Sequence, residues 1–228
     1  MESIFTRHTK LSEILRSNWQ LAALFPRLHI YWGFGEQTIE QYCAEHHLSA
    51  DFAIMICNAY TFENYSPQKT DFINFNCQDL TDFLLNSHVF YLQKRLPHIK
   101  QHLQHVVPAE HEMAAIVNRF FNDYIQEVQA HFEYEEKIVF PYISGLLSHS
   151  ENTEYSINIF EEQHDNMENK LNDLISLVMK YLPSEWKNEE RTSLLINLST
   201  LLYDMQHHAC IEEHILIPYV KYLEHEQL

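Results

Sequence analysis

His131-Phe132-Glu133-Tyr134-Glu135-Glu136-Lys137-Ile138-Val139-Phe140-Pro141 and His208-Ala209-Cys210-Ile211-Glu212-Glu213-His214-Ile215-Leu216-Ile217-Pro218 read as two copies of one unit. His, Glu, Glu, Ile and Pro occupy the same places in both, at an offset of 77 residues. Two further histidines keep nearly the same step, because His88 and His164 lie 76 residues apart. Each copy thus carries a lone His, then a His-x-x-x-Glu, then a Pro. Residues i and i+4 stack on one face of a helix, so His131 projects with Glu135, and His208 with Glu212.

The surrounding periodicity decides where those faces point. Long helices are expected at about 79–104, 109–147, 153–182 and 184–225, following a region of shorter helices. On the second, the seam runs Val117, Phe121, Tyr124, Val128, His131, Glu135, Ile138, Tyr142. On the fourth it runs Leu194, Leu198, Leu201, Met205, His208, Glu212, Ile215, Tyr219. The third carries Ile157, Phe160, His164, Met167, Leu171, Leu174 and Val178, and the first brings Leu84 or Leu85, His88 and Leu92 to one face. In every seam a histidine stands where an apolar residue belongs. Short connections favour antiparallel neighbours, so the expected fold class is all-α, an up-down four-helix bundle.

A buried carboxylate without a partner costs several kcal/mol, and two in one layer raise each other's pKa. Cations remove both penalties. Four imidazoles (His88, His131, His164, His208) and two carboxylates (Glu135, Glu212) are a donor set that two metal ions can share. With no thiolate and with room for oxo, hydroxo or a small gas, the set favours a di-iron centre, and zinc and manganese also fit these donors. The spacing is H-x-x-x-E, unlike the E-x-x-H of ferritin-type di-iron bundles. Pro141 and Pro218 each follow their Glu by six residues and lack an N–H, so a kink or loosening is expected just beyond each HxxxE. Glu136 and Glu213 point about 100° away from the ligand carboxylates. They read as exposed or as supporting groups behind the ligands. His98, His102, His105, His111, His207 and His214 read as surface, and Tyr124 and Tyr142 as core residues near the site.

Composition narrows the classes. The chain has 228 residues, 46% hydrophobic, with three glycines and seven prolines. That suits long helices with few turns. A net charge of −17 argues against nucleic-acid or anionic-membrane binding. Cys43, Cys57, Cys77 and Cys210 show no C-x-x-C spacing, which speaks against a thiolate zinc knuckle or a disulfide framework and for a reduced, cytoplasmic setting. Residues 1–10 contain no apolar leader core, and no window reaches 18 uninterrupted apolar residues. Before residue 75, helices are expected at Leu11 to Leu24, Thr38 to His46 and Ala50 to Phe62, with a linker at 64–78. The domains so drawn are 1–75 and 79–228.

At these residues the chain resembles the hemerythrin-like HHE proteins. Within them it looks most like the iron–sulfur cluster repair di-iron family (the RIC, YtfE, ScdA or DnrN proteins). His88 precedes a Leu96-Pro97 step, both HxxxE segments end in an apolar-Pro step, and His164 lies in Gln163-His164-Asp165, as in that family's pattern. The resemblance implies that the four histidines hold two irons bridged by Glu135 and Glu212, with an oxo or hydroxo group. It also implies O2 or NO as small ligands, damaged iron–sulfur proteins as partners, and a role in nitrosative or oxidative stress. A gas sensor or store without repair activity, and a structural Zn or Mn bundle, are the other readings. The fifth His and the Asp of respiratory hemerythrins are not supplied by this spacing. The N-terminal region is similar to the small ScdA-type helical domain, through Phe25-Pro26 and Gln37-Thr38-Ile39-Glu40. Where that domain usually has Cys-Cys-Gly-Gly, this chain has Trp32-Gly33-Phe34-Gly35. The vicinal thiol pair is absent.

Overall fold

The computed structural model describes residues 4–63, 65–67, 76–148, 155–163, 168–184 and 186–226. Among them the chain is all-α: no strand occurs, and a lone bridge pairs Lys10 with Thr38. By contact the chain forms two compact units, residues 1–87 with 207–228, and residues 88–206. Of the expected linker, residues 64 and 68–75 lie outside the described residues. No helix among the described residues is long and apolar enough to cross a membrane.

The N-terminal part of the first unit holds α1 (Leu11–Ser17), α2 (Leu21–Leu24), a 3-10 turn (Phe25–Leu28), α3 (Ile39–Glu45) and α4 (Ala50–Thr61). Asn18, in extended backbone, splits the expected Leu11 to Leu24 helix in two, and the Phe25-Pro26 step follows it as the 3-10 turn. Thr38 opens α3 with a reciprocal capping box. Its hydroxyl accepts from Gln41 N–H, and the Gln41 side chain accepts from Thr38 N–H. Ser49 caps α4 by accepting from Phe52 N–H. The buried Asn58 amide bonds both ways to the Phe5 backbone and so ties the leading segment down.

Beyond residue 76 the long helices appear, three of them interrupted in the same manner. The first runs as α5 (Cys77–Phe90), a π-turn (Tyr91–Arg95) and α6 (Leu96–Val106). The second runs as α7 (Glu112–Tyr134), a π-turn (Glu135–Val139) and α8 (Phe140–Leu147). Then come α9 (Ile157–Gln163) and α10 (Glu168–Lys180), where one helix was expected over 153–182. Residues 164–167 between them lie outside the described set. The last helix is α11 (Asn188–Ile211), a π-turn (Glu212–Leu216) and α12 (Ile217–Glu226).

Each π-turn ends two residues before a proline: Pro97, Pro141 and Pro218. The cause is steric. A proline ring clashes with the carbonyl four residues back and supplies no N–H to it. The turn widens, and the residue before each proline donates across five residues instead of four. Leu96 N–H bonds to Tyr91 O, Phe140 N–H to Glu135 O and Ile217 N–H to Glu212 O. The loosening expected beyond each HxxxE is therefore a π-turn, and it starts on the glutamate itself. Such insertions in α-helices are frequent at functional sites.

In the second long helix the extra residue of the π-turn advances the buried face, whereas on the last helix Ile215 and Tyr219 stay buried as the period dictates. In α7 the expected seam is buried from Val117 to Val128, and Glu135 is fully buried. Beyond Glu135 the heptad count named Ile138 and Tyr142, yet Ile138 is 43% exposed. The buried residues are Val139, Phe140 and Ile143. The same five-residue stride links buried Tyr91 to buried Leu96. In α11, Leu194, Leu198, Leu201 and Met205 are buried as the period dictates, and so are the described α9 and α10 seam residues Ile157, Phe160, Leu171, Leu174 and Val178. Residues 88–206 enclose a contiguous core built from Tyr91, Leu96, Ile99, Leu103, Phe121, Phe132, Leu174 and Leu198 among others.

The register shift makes a stability prediction. Val139→Ala removes two buried methyl groups and costs about 2 kcal/mol. Ile138→Ala, though it deletes more carbon, costs under about 1 kcal/mol, because half-exposed surface loses little on truncation. Urea midpoints at unchanged m-value measure both. An uninterrupted α-helix would reverse the order.

Candidate metal centre

Within residues 88–206, Glu135 is the focus. Its side chain is fully buried, and each carboxylate oxygen faces an imidazole. His88 Nε2 lies 3.0 Å from Oε2, and His131 Nε2 lies 3.4 Å from Oε1. The His88 ring is stacked on Phe132 at 3.9 Å with planes 8° apart, and lies 5.8 Å from Phe140. Its rotation is thereby fixed. Its other nitrogen, Nδ1, lies 2.9 Å from Glu136 Oε1. Glu136 is 41% exposed, so this carboxylate reaches in from the solvent side. Glu136, expected to be exposed or to stand behind the ligands, does both, since it is half-exposed and meets His88. Neither heptad position nor composition names a residue that reaches sideways to another helix.

Within the other unit, His208 and Glu212 are both buried, one turn apart on the last long helix. His208 Nε2 lies 2.8 Å from Glu212 Oε1. His88, Glu135, His208 and Glu212 are a buried group that could hold a metal ion. Four of the six expected ligands belong to that group, and His131 faces Glu135. His164, the remaining expected ligand, lies outside the described residues.

The donor chemistry fits a cation. A neutral imidazole has a single N–H. If His88 gives it to Glu136 through Nδ1, its Nε2 lone pair faces the carboxylate oxygen of Glu135. Two acceptors at that separation need a positive charge between or upon them. Ligands held about 2.0–2.2 Å from one ion sit roughly 3 Å apart. The observed imidazole–carboxylate separations, 2.8 to 3.4 Å, match that edge length. Glu136 then stands behind His88 as an outer carboxylate that fixes its tautomer and raises its basicity.

The other sequence candidates take structural roles. Tyr124 is buried in the core, with no hydrogen-bond partner for its hydroxyl among the described residues. Burial, with the nearby Glu168, pushes its ionisation well above the ordinary phenol range. Tyr142 packs edge-on against Tyr155 at 4.8 Å. His111 caps α7 by accepting from Met113 N–H and meets Trp186 edge-on. His102 faces the Asn197 amide, and burial lowers its pKa, reinforced by His98. His98, His105 and His214 are exposed, as expected. His207, expected at the surface, is half-buried with its ring 5.0 Å from that of Tyr60.

A helical protein with buried histidines and glutamates that could hold a metal ion is, as a class, a metal-binding protein of the all-α kind. Residues 80–226 match the hemerythrin HHE cation binding domain, and the chain belongs to that family. No curated protein matches the chain.

Glu136→Ala removes the outer partner of His88 without touching a ligand. It is expected to weaken metal affinity by about 10–100-fold while leaving the fold intact. Competition with a chromophoric chelator measures the affinity, and thermal melting of the metal-free chain checks the fold.

Proposed function

We propose that the chain is a di-iron protein of the nitrosative and oxidative stress response that repairs damaged iron–sulfur centres or handles NO. The buried group His88, Glu135, His208 and Glu212, which could hold a metal ion, within an HHE family match carries this reading. In it, His88, His131, His164 and His208 would hold two irons together with the carboxylates of Glu135 and Glu212. The bundle of residues 79–228 houses this centre and residues 1–75 form a ScdA-type helical domain. When bound, the irons supply redox change and open positions for O2 or NO.

The chain's own groups define the rest. Glu135 and Glu212 lower the net charge of the centre from buried positions. Glu136 holds the Nδ1 proton of His88, so that Nε2 presents its lone pair inward. Phe132 and Phe140 flank the His88 ring and keep water from that side. The proline-driven π-turns begin at Glu135 and Glu212, which sets the direction of their side chains.

A second reading, a sensor or store of O2 or NO without repair activity, draws support from the thiols. Cys43, Cys57 and Cys77 are buried. Burial pushes the Cys43 thiol up to about 11 and Cys77 to about 12, with Cys57 moved further the same way. Thiols of that kind are poor nucleophiles at neutral pH. A repair route through an exposed vicinal pair has no residues here to run on.

Anaerobically purified chain is expected to contain about two irons and to develop oxo-bridged ferric absorption in air. The His131→Ala, His208→Ala double variant is expected to lose stoichiometric iron. Colourless protein holding only zinc or manganese would replace the di-iron reading with a structural one. Reactivation of an NO-damaged [4Fe–4S] enzyme by iron-loaded protein separates the repairer from the sensor, which binds NO reversibly and reactivates nothing.

A further inference from the structure

We propose that the cleft beside the Trp32-Gly33-Phe34-Gly35 turn binds a small organic cation with an alkylated ammonium head. The cleft has a volume of about 580 Å³ and is walled by the rings of Tyr31, Trp32, Phe34 and His46, with Glu36 and Glu45 at its polar side. That volume suits a small molecule. It belongs entirely to the N-terminal unit and is separate in sequence from the candidate metal ligands.

The turn is built to display its aromatic rings. Gly33 and Gly35 both have left-handed backbone, φ +100° and +56°, and a Cβ at either would meet nothing within 4 Å. The glycines thus answer to chain direction and not to crowding. Trp32 and Tyr31 remain 57% and 56% exposed as neighbours. Single exposed apolar residues need no explanation, but adjoining ones that wall a cleft mark a binding surface. The rings are also held firmly. Trp32 and Phe34 lie 6.2 Å apart with planes at 52°, and each is 6.2 Å from the fully buried Phe25. The Tyr42 hydroxyl accepts from Tyr31 N–H at 2.9 Å, and His46 stacks on the Tyr42 ring at 4.2 Å. A preformed site of this kind loses little conformational entropy on binding.

Electrostatics selects the ligand. Aromatic faces carry negative potential. The lining adds two carboxylates and no lysine or arginine. Glu36 is bridged to Lys10 at 2.8 Å. Glu45 accepts only from the neutral Gln37 amide at 2.7 Å, and among the described residues it takes part in no ion pair. The chain's net charge of −17 concentrates cations around it. A hard metal ion seeks converging oxygen ligands, which two carboxylates beside a wall of rings do not provide. A trimethylammonium group has an apolar skin that rings desolvate and a diffuse charge that their faces attract.

The test uses the full chain titrated with choline at constant ionic strength, followed by tryptophan fluorescence and calorimetry. Choline is expected to bind saturably, and its neutral tert-butyl isostere at least about tenfold more weakly. Trp32→Ala is expected to lose at least about tenfold in affinity, Trp32→Phe to retain most of it, and Glu45→Gln to lose severalfold. Absence of saturable choline binding, equal binding of the isostere, or unchanged affinity in Trp32→Ala overturns the proposal. Tighter binding of a lysine- or arginine-bearing peptide than of choline assigns the cleft to a partner's side chain and overturns the small-ligand reading. Should Trp32→Ala fail to fold by circular dichroism, Glu45→Gln decides alone, since its position on the exposed face of α3 leaves folding untouched; unchanged choline affinity there also overturns the proposal.

Discussion

The contact between the fully buried Glu135 carboxylate and the two imidazoles of His88 and His131 is the constraint on which residues 88–206 depend. A carboxylate in a hydrocarbon core carries a desolvation penalty of several kcal/mol unless positive charge meets it. The ring of His88 is in turn held by Phe132 on one side and by Glu136 at its second nitrogen. The polar centre is thus embedded in the apolar core, and neither is arranged without the other. The same logic governs His208 and Glu212 in the other unit, where both side chains are buried and in contact. Removal of a single partner strands a buried polar group, a penalty that a bound cation relieves.

Three prolines shape the helices that carry these groups. A proline six residues after the first residue of each π-turn removes one hydrogen bond and displaces one carbonyl, and the helix answers with a five-residue stride. Because the glutamates are themselves the first residues of two of these turns, the backbone defect and the buried carboxylate coincide. A regular helix would keep its apolar seam on one line through the glutamate. Here the seam before Glu135 and the seam after it differ by one residue, and a single helix can satisfy both the polar centre and the packing beyond it.

The N-terminal helices are organised by another means. They are short, and they rely on caps, a buried Asn58 clip and aromatic packing about Phe25 more than on long apolar seams. The glycine turn at 33–35 leaves Trp32 57% exposed beside Phe34.

Much was legible in the sequence because helical periodicity is a local property. The burial of Glu135, His208 and Glu212 and of the apolar residues leading up to them follows from the 3.6-residue period, and the helices near Thr38 and Ala50 follow from the turns that punctuate the N-terminal region. Three features depend on tertiary structure. The seam slips from Ile138 to Val139 because a proline clash is relieved by widening the turn upstream, a choice between kink and π-turn that letters alone do not make. Glu136 meets His88 because two helices pack side by side, and no spacing along one helix encodes a neighbour's distance. His207 is half-buried because Tyr60, distant in sequence, lies against it. The sequence determined which residues face inward on each helix; packing decided which of them touch.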